Sequence, residues 1–188
     1  MNKEQIINEL IEENGYTRYL EIGYFTGDSY RKVECANKAA VDPAIKETEP
    51  HAPNLHSMTS DEFFAKNEGV FDIVLIDGLH HADQVRKDVI NASKCLSPNG
   101  CIVLHDVNPA TKDEQIVPRK QRVWTGNCWR TFVGFRQKYP DTEAFAYPFD
   151  HGVGVIIPAG KKFRAHFENK EMSYEEFDTN RKTLLGLI

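Results

Sequence analysis

The stretch "FDIVLIDGLHHADQV", Phe71 to Val85, opens with a run of apolar and aromatic residues suited to a strand buried on both faces. It then changes character at Asp77 and Gly78, with two histidines just beyond. Further on, Ala82, Val85, Val89, Ala92 and Leu96 recur at intervals of three and four. That spacing predicts one buried helix face, with Asp83 and Lys87 favourably placed four apart. A strand that ends in an acid and feeds a helix is the repeating unit of an α/β fold, in which ligands bind beyond the carboxyl ends of the strands.

The flanking sequence repeats the pattern. Ile6, Ile7, Leu10 and Ile11 predict a helix within residues 1–15, closed by Asn14-Gly15. "TRYLEIG" reads as a strand running into the glycine-containing turn "GYFTGDS", followed by a helix through about Cys35 and the strand "KAAVD". The proline-rich "PAIKETEPHAPN" reads as loop, with "LHSM" as a short strand behind it. Ser60 is placed to cap a helix over "DEFFAKN". "SPNG" reads as the stop of the helix after Phe71–Val85, and "CIVLHD" as the next strand. "CWRTFVGFRQKY" has helical character, and "EAFAYPF" and "GVGVIIP" suggest a hairpin across Asp150-His151-Gly152. The tail, 161–188, carries a capping-box pattern at Ser173 and Glu176 ahead of a last helix. Residues 107–125 lack periodicity, and an unpatterned loop of that length in a compact domain is commonly functional. The expectation is one α/β domain over 1–188, with a largely parallel sheet and helices on both faces.

Bulk properties exclude more than they assign. A formal charge of −5 without a polybasic run disfavours binding through nucleic-acid phosphates. No apolar run approaches the roughly 18 to 20 residues of a membrane helix, and the charged, amphipathic start is unlike a signal peptide. Cys35, Cys95, Cys101 and Cys128 show no CxxC spacing, so the expected setting is the reducing cytoplasm.

Four acids then converge on strand ends: Glu21 within the first strand, Asp42, Asp77 and Asp106 closing later ones. The first turn, Glu21-Ile22-Gly23-Tyr24-Phe25-Thr26-Gly27, lacks the GxGxxG that admits a dinucleotide pyrophosphate. A carboxylate there suits a cationic ligand instead. Asp42, 21 residues after Glu21, is placed to accept hydrogen bonds from ribose hydroxyls. Each feature has a plainer reading. The glycines serve a tight turn without any ligand, Asp42 before Pro43 is a turn residue, and Asp61 stabilises a helix N-terminus.

Taken in order, "YLEIGYFTG", "AVDPA", "MTSDEFF", "FDIVLIDGLHHADQVRKDV", "LSPNGCIVLHDVNP" and "TGNCWRTFVGFR" resemble the class I S-adenosylmethionine (SAM)-dependent methyltransferases. The similarity is to the small-molecule and sugar O-methyltransferase branch (methyltransferase family 24-like) and extends to about Pro158. It implies a Rossmann-like, doubly wound, mostly parallel seven-stranded sheet with an antiparallel C-terminal hairpin. It also implies that Glu21, Gly23 and Gly27 meet the methionyl end of SAM, Asp42 the ribose, and Ser60 and Asp61 the adenine surroundings, with Asp77 a further cofactor-binding residue.

Methyl transfer to a hydroxyl gains from removal of its proton, by a base or through a metal. In the branch that this chain resembles, "IDGxH" pairs a strand-end acid with a histidine base, here Asp77 and His80, and acids at neighbouring strand ends bind a divalent metal. Catechol-type enzymes place metal-binding acids comparably. The resemblance thus implies Asp77, Asp106 and His105 as metal ligands for Mg²⁺ or another divalent cation. His105 departs from the pattern, because the metal-dependent sugar enzymes carry a second acid there. Alternatively, His105 is a hydrogen-bonded core histidine, His80 lies on a loop surface, and His81 caps the next helix or faces solvent. His51, His56, His151 and His166 receive no role. Trp124 and Trp129 flank the 107–125 loop as pocket or core residues, and Arg119, Lys120 and Arg122 form a small basic cluster beside them.

The expected activity is O-methylation of a small molecule or sugar, with residues 107–125 over the acceptor. A homo-oligomer in which a second subunit supplies a pocket wall is compatible with the chain's size. The competing readings are a SAM-binding module without catalysis and a nicotinamide-dependent oxidoreductase.

Overall fold

The computed structural model describes residues 1–46, 54–160 and 167–188. His51 and His166, with part of the proline-rich loop and the start of the tail, lie outside the described residues. Seven strands form one sheet in the order β3-β2-β1-β4-β5-β7-β6. These are β1 (Arg18–Ile22), β2 (Asn37–Val41), β3 (Leu55–His56), β4 (Phe71–Ile76), β5 (Leu96–Leu104), β6 (Glu143–Tyr147) and β7 (Val153–Ile157). The pairs among β1 to β5 are parallel, and β7 runs antiparallel to both β5 and β6. The expected seven-stranded sheet and closing hairpin are both present.

Strand alternation divides the core between the two faces. Tyr19, Ile73, Leu75, Cys101 and Val103 pack with Ile6, Ile7, Leu10 and Ile11 of α1 (Lys3–Asn14) and Tyr30 of α2 (Asp28–Lys32). Leu20, Ile22, Val74, Ile76, Ile102 and Leu104 pack on the other face. Their partners include Phe63 of α3 (Ser60–Lys66), Val85 and Val89 of α4 (Ala82–Lys94), Phe132 of α5 (Trp129–Lys138) and Phe177 of α6 (Tyr174–Leu185).

Three local expectations are corrected. Helix α2 stops at Lys32 rather than near Cys35, because Val33 turns extended and is buried in the α1 layer. Thr59, not Ser60, caps α3: its side chain accepts from Glu62 N–H, and Glu62 reaches back to Thr59 N–H. "SPNG" is not the helix stop, since α4 ends at Lys94 and β5 begins at Leu96. The register shifts between the Phe71–Leu96 and Ile73–Cys101 pairs, where Gly100 lies so close to Asp72 that a Cβ would meet its carbonyl oxygen at 2.5 Å.

The parallel register is what positions the site. Ile22 pairs with both Val41 and Ile76, and Ile76 with Leu104. The next residue on each of these four strands is therefore Gly23, Asp42, Asp77 or His105. Backbone hydrogen bonds carry the ladder one step further, from Gly23 N–H to Val41, Asp77 N–H to Ile22 and His105 N–H to Ile76.

Candidate active site

A cavity of about 770 Å³ opens beyond that register line. Glu21, Gly23, Asp42, Ser60, Asp61, Asp77, His80, His105 and Asp106 all line it, so nine of the ten expected site residues meet in one place. Gly27 is the exception. It holds a left-handed φ of +74° at the start of α2, and the Tyr24 ring covers it, so close that a Cβ would come within 2.4 Å. Gly23, at φ +101°, is a true wall residue whose missing Cβ allows the Asp77 backbone to approach.

The cavity suits a cation. Asp28 joins Glu21, Asp42, Asp61, Asp77 and Asp106 on its walls. Such a lining attracts a sulfonium and opposes a pyrophosphate. Asp42 is held by Phe25 N–H at 2.8 Å and Ala44 N–H at 2.7 Å, which fixes its carboxylate at the rim. Ser60 and Asp61 both accept from the Gln84 amide at 3.1 Å. Glu21 is fully buried and accepts from Tyr19 O–H at 2.6 Å. Burial pushes its carboxyl up to about 8, against the Tyr19 hydrogen bond and with help from the charge of Asp77.

Asp77 is the hub. Its parity continues that of Ile73 and Leu75, toward the α1 face, and Lys3 of α1 donates to its Oδ2 at 2.5 Å. His105 Nδ1 lies 3.1 Å and His80 Nε2 3.4 Å from its Oδ1. Burial opposes the Asp77 charge, but His105 and Lys3 overcome it and hold the carboxyl well below its usual range. Burial likewise opposes charge on His105. The Asp77 carboxylate outweighs it, with hydrogen bonds to Asp150 and Asp77, and lifts the imidazole to about 10. His80 moves upward too: burial again opposes the charge, and Asp77 and then Asp106 prevail. Asp106 is raised, chiefly by burial.

His80 is clamped from the far side. Trp124 stacks on its ring at 5.3 Å with an 18° tilt. Gly126, at φ +59°, lies against the His80 carbonyl, and Asn127 N–H donates to that oxygen at 3.3 Å. The Asn127 side chain also accepts from Ala82 N–H at 2.6 Å, which caps α4 in place of His81. His81 occupies the cap position without capping. The 107–125 loop thus folds back onto the site, pinned by Ala110 N–H on Glu114, Thr125 N–H on the Glu114 carbonyl and the Trp124 indole on the Ile116 carbonyl. Trp129 is a core residue stacked on Phe177. Arg119 of the basic cluster lies over the Trp124 ring at 5.9 Å.

Of the expected metal set Asp77, Asp106 and His105, two members fall in the converging group and His105 does not. Among the described residues, the ligand atoms that converge, all within 4.8 Å of one another, come from Asp77, His80 and Asp106. His105 stands outside because both its nitrogens are engaged, Nδ1 with Asp77 and Nε2 with the Asp150 carbonyl at 2.8 Å. That is the hydrogen-bonded histidine of the alternative reading. The converging set does not fit a hard divalent cation as it stands. One Asp77 oxygen already holds an ammonium and the other faces two imidazoles. Lys3 and Asp150 went unnoticed in the sequence, since neither belongs to a strand-end pattern. The only trace was Lys3's place on the same helical face as Ile6, Ile7 and Leu10.

The sheet order, the acid-lined cavity beyond the parallel strand ends and the turn at Gly23 define a Rossmann-like methyltransferase fold of the class I, SAM-dependent type. The chain belongs to a family described as a methyltransferase domain, whose profile matches residues 6–107. No curated protein matches it. Among solved structures it is similar to the SAH-bound methyltransferase PaMTH1 from Podospora anserina, at 18% identity and a TM-score of 0.59, over 82% of this chain and 77% of that one. An O-methyltransferase from Bacillus cereus in complex with SAH gives 16% identity and a TM-score of 0.55, over 82% and 80%. The MycE methyltransferase of the mycinamycin biosynthetic pathway, in complex with Mg, SAH and mycinamycin VI, gives 18% and 0.55, over 82% of this chain and 47% of that one. At these identities the likeness is one of fold. No helix among the described residues is long and apolar enough to cross a membrane.

Proposed function

We propose that this protein methylates a hydroxyl oxygen of a small molecule or sugar, with His80 as the general base. The observation that carries the reading is the imidazole of His80 at the mouth of an acid-lined cavity, between Asp77 and Asp106 and stacked on Trp124. SAM, when bound, supplies an electrophilic methyl group on a sulfonium. Glu21, Gly23 and Asp77 hold its methionyl end, Asp42 accepts from the ribose hydroxyls, and Ser60 and Asp61 border the adenine. His80 takes the acceptor's proton at Nε2, while Asp106 faces the buried Nδ1 and orients the ring. Trp124 fixes the plane of the imidazole and shields it from water. Residues 107–125 wall the acceptor.

The acids around the cavity weigh against the nicotinamide reading, because they would repel a pyrophosphate. The test is calorimetry with SAM, S-adenosylhomocysteine and NADH, followed by methyl transfer from labelled SAM across a panel of phenols, sugars and macrolide glycosides. Binding of SAH with turnover on one acceptor class is expected. The absence of both heat and thermal shift with SAH would sink the assignment, and SAH binding without turnover on any acceptor would favour the non-catalytic module.

A further inference from the structure

Three carboxylates surround the pair His80 and His105: Asp77, Asp106 and Asp150. Against them the protein sets two cations, His105 and Lys3, and the base His80. His105 lies between Asp77 and Asp150, with Nδ1 3.1 Å from the first and Nε2 3.5 Å from the carboxylate of the second. His80 Nδ1 lies 3.1 Å from Asp106. The remaining cation comes from a distant part of the chain. Lys3, in the first turn of α1, sets its ammonium on Asp77 Oδ2, and its side chain is only 14% exposed.

The placement is rigid. Lys3 sits three and four residues before Ile6 and Ile7, on the helix face that these two and Leu10 bury against the sheet. Its own backbone N–H donates to the Asp150 carboxylate at 2.9 Å, and the Asn2–Gln5 capping box fixes the helix start. The ammonium therefore reaches the strand ends as part of a packed element and not as a free arm. It also lines the cavity beside Glu21 and Asp77.

We propose that Lys3 is the resident cation of this site: its ammonium supplies the positive charge at Asp77 that a divalent metal would otherwise bring, and it keeps such a metal out. The reasoning is electrostatic. A divalent ion shared by Asp77, His80 and Asp106 would have to take either the Asp77 oxygen that Lys3 holds or the one that faces the two imidazoles, while sitting a few ångströms from the Lys3 charge. Lys3 acts through Asp77 and is a positioning residue. The proposal rests on the methyltransferase reading only for its catalytic consequence, since metal exclusion is a property of the folded site.

The experiment titrates Mn²⁺ into the full chain and into Lys3→Met, Lys3→Gln and Lys3→Arg, with binding followed by electron paramagnetic resonance. The wild type and Lys3→Arg should bind no Mn²⁺ at the site. Lys3→Met should gain a site about 100-fold tighter or better, lost again when Asp77→Asn is added. Lys3→Gln serves the same purpose if Lys3→Met does not fold, as judged by circular dichroism. Wild-type turnover should survive EDTA, and Lys3→Met turnover should fall about tenfold or more without added metal. Mn²⁺ binding by the wild type as tight as by Lys3→Met overturns the proposal. So does a neutral variant that gains no Mn²⁺ site and instead loses SAH affinity, which would make Lys3 a partner of the cofactor carboxylate. If SAH fails to bind even the wild type, the methyltransferase reading falls while the Mn²⁺ comparison still decides the role of Lys3.

Discussion

Strand β4 is flanked by two acids, Asp72 buried at its start and Asp77 half-buried just past its end, and the two are held in opposite ways. Asp72, at the start, accepts from the backbone N–H groups of Thr17 and Arg18 at 3.1 Å and from the Arg18 guanidinium at 2.7 Å. Burial works against its charge, yet Arg18 and the Thr17 N–H outweigh it and bring the carboxyl down to about 2. Asp77, just past the other end, is held by Lys3, His80 and His105. None of the donors to Asp72 can change charge near neutrality, whereas one of the three around Asp77, His80, is an imidazole whose role as base requires it to do so. The first arrangement ties β1 to β4. The second keeps a proton that can move, at the end of the strand where the cavity opens.

That contrast can be broken by substitution. The largest effect is expected from His80→Ala, which should cost about 10²- to 10⁴-fold in turnover with SAH affinity little changed. Single-turnover kinetics and calorimetry would show it, and a parallel loss of SAH binding would mean that His80 holds the cofactor instead. Asp72→Asn should do the reverse, costing about 1–3 kcal/mol in urea unfolding and leaving turnover per folded molecule intact. Its carboxyl is depressed in the folded state, so its contribution is present above the unfolded value of 3.8 and lost as pH falls through about 2. The wild-type advantage over Asp72→Asn should therefore vanish in acid.

The pH–rate profile sharpens the comparison further. A base works when neutral, and the neighbouring carboxylates raise His80 above its usual 6.5, so turnover should climb with pH through a limb on the alkaline side of that value. Asp106→Asn removes one of those carboxylates and should move the limb to lower pH. An unmoved limb would argue that His80 is not the titrating group. The smallest effect is expected from Trp124→Leu. Losing the stacked ring should loosen His80 and cost roughly 3- to 10-fold in turnover, with thermal stability nearly unchanged.

Most of the site could be read from strand ends. Gly23, Asp42 and Asp77 follow three residues that share one parallel register, so each was legible once its own strand was recognised. Gly27 has a second reason to be glycine that spacing does not show: it holds a left-handed turn beneath the Tyr24 ring. The exchange of His105 for His80 in the converging set has a similar origin. Residue 105 shares the face of Cys101 and Val103, below α1 and beside the β6–β7 turn, and there its nitrogens find Asp77 and Asp150. No spacing in the sequence announces those partners.

What the sequence determined by itself was the alternation of strands and helices, the strand on which each acid ends and the IDGxH spacing. These depend on side-chain period and on neighbours a few residues apart. What only the tertiary structure decided was the company those acids keep. Lys3 arrives because α1 buries one face on the sheet, Asp150 because the hairpin turns beside β5, and Trp124 because a loop without periodicity folds back on Glu114. Lys3 thereby meets Asp77, Asp150 meets His105 and Trp124 meets His80, pairs 74, 45 and 44 residues apart in the chain. Such contacts are set by the packing of whole elements and leave no local signature.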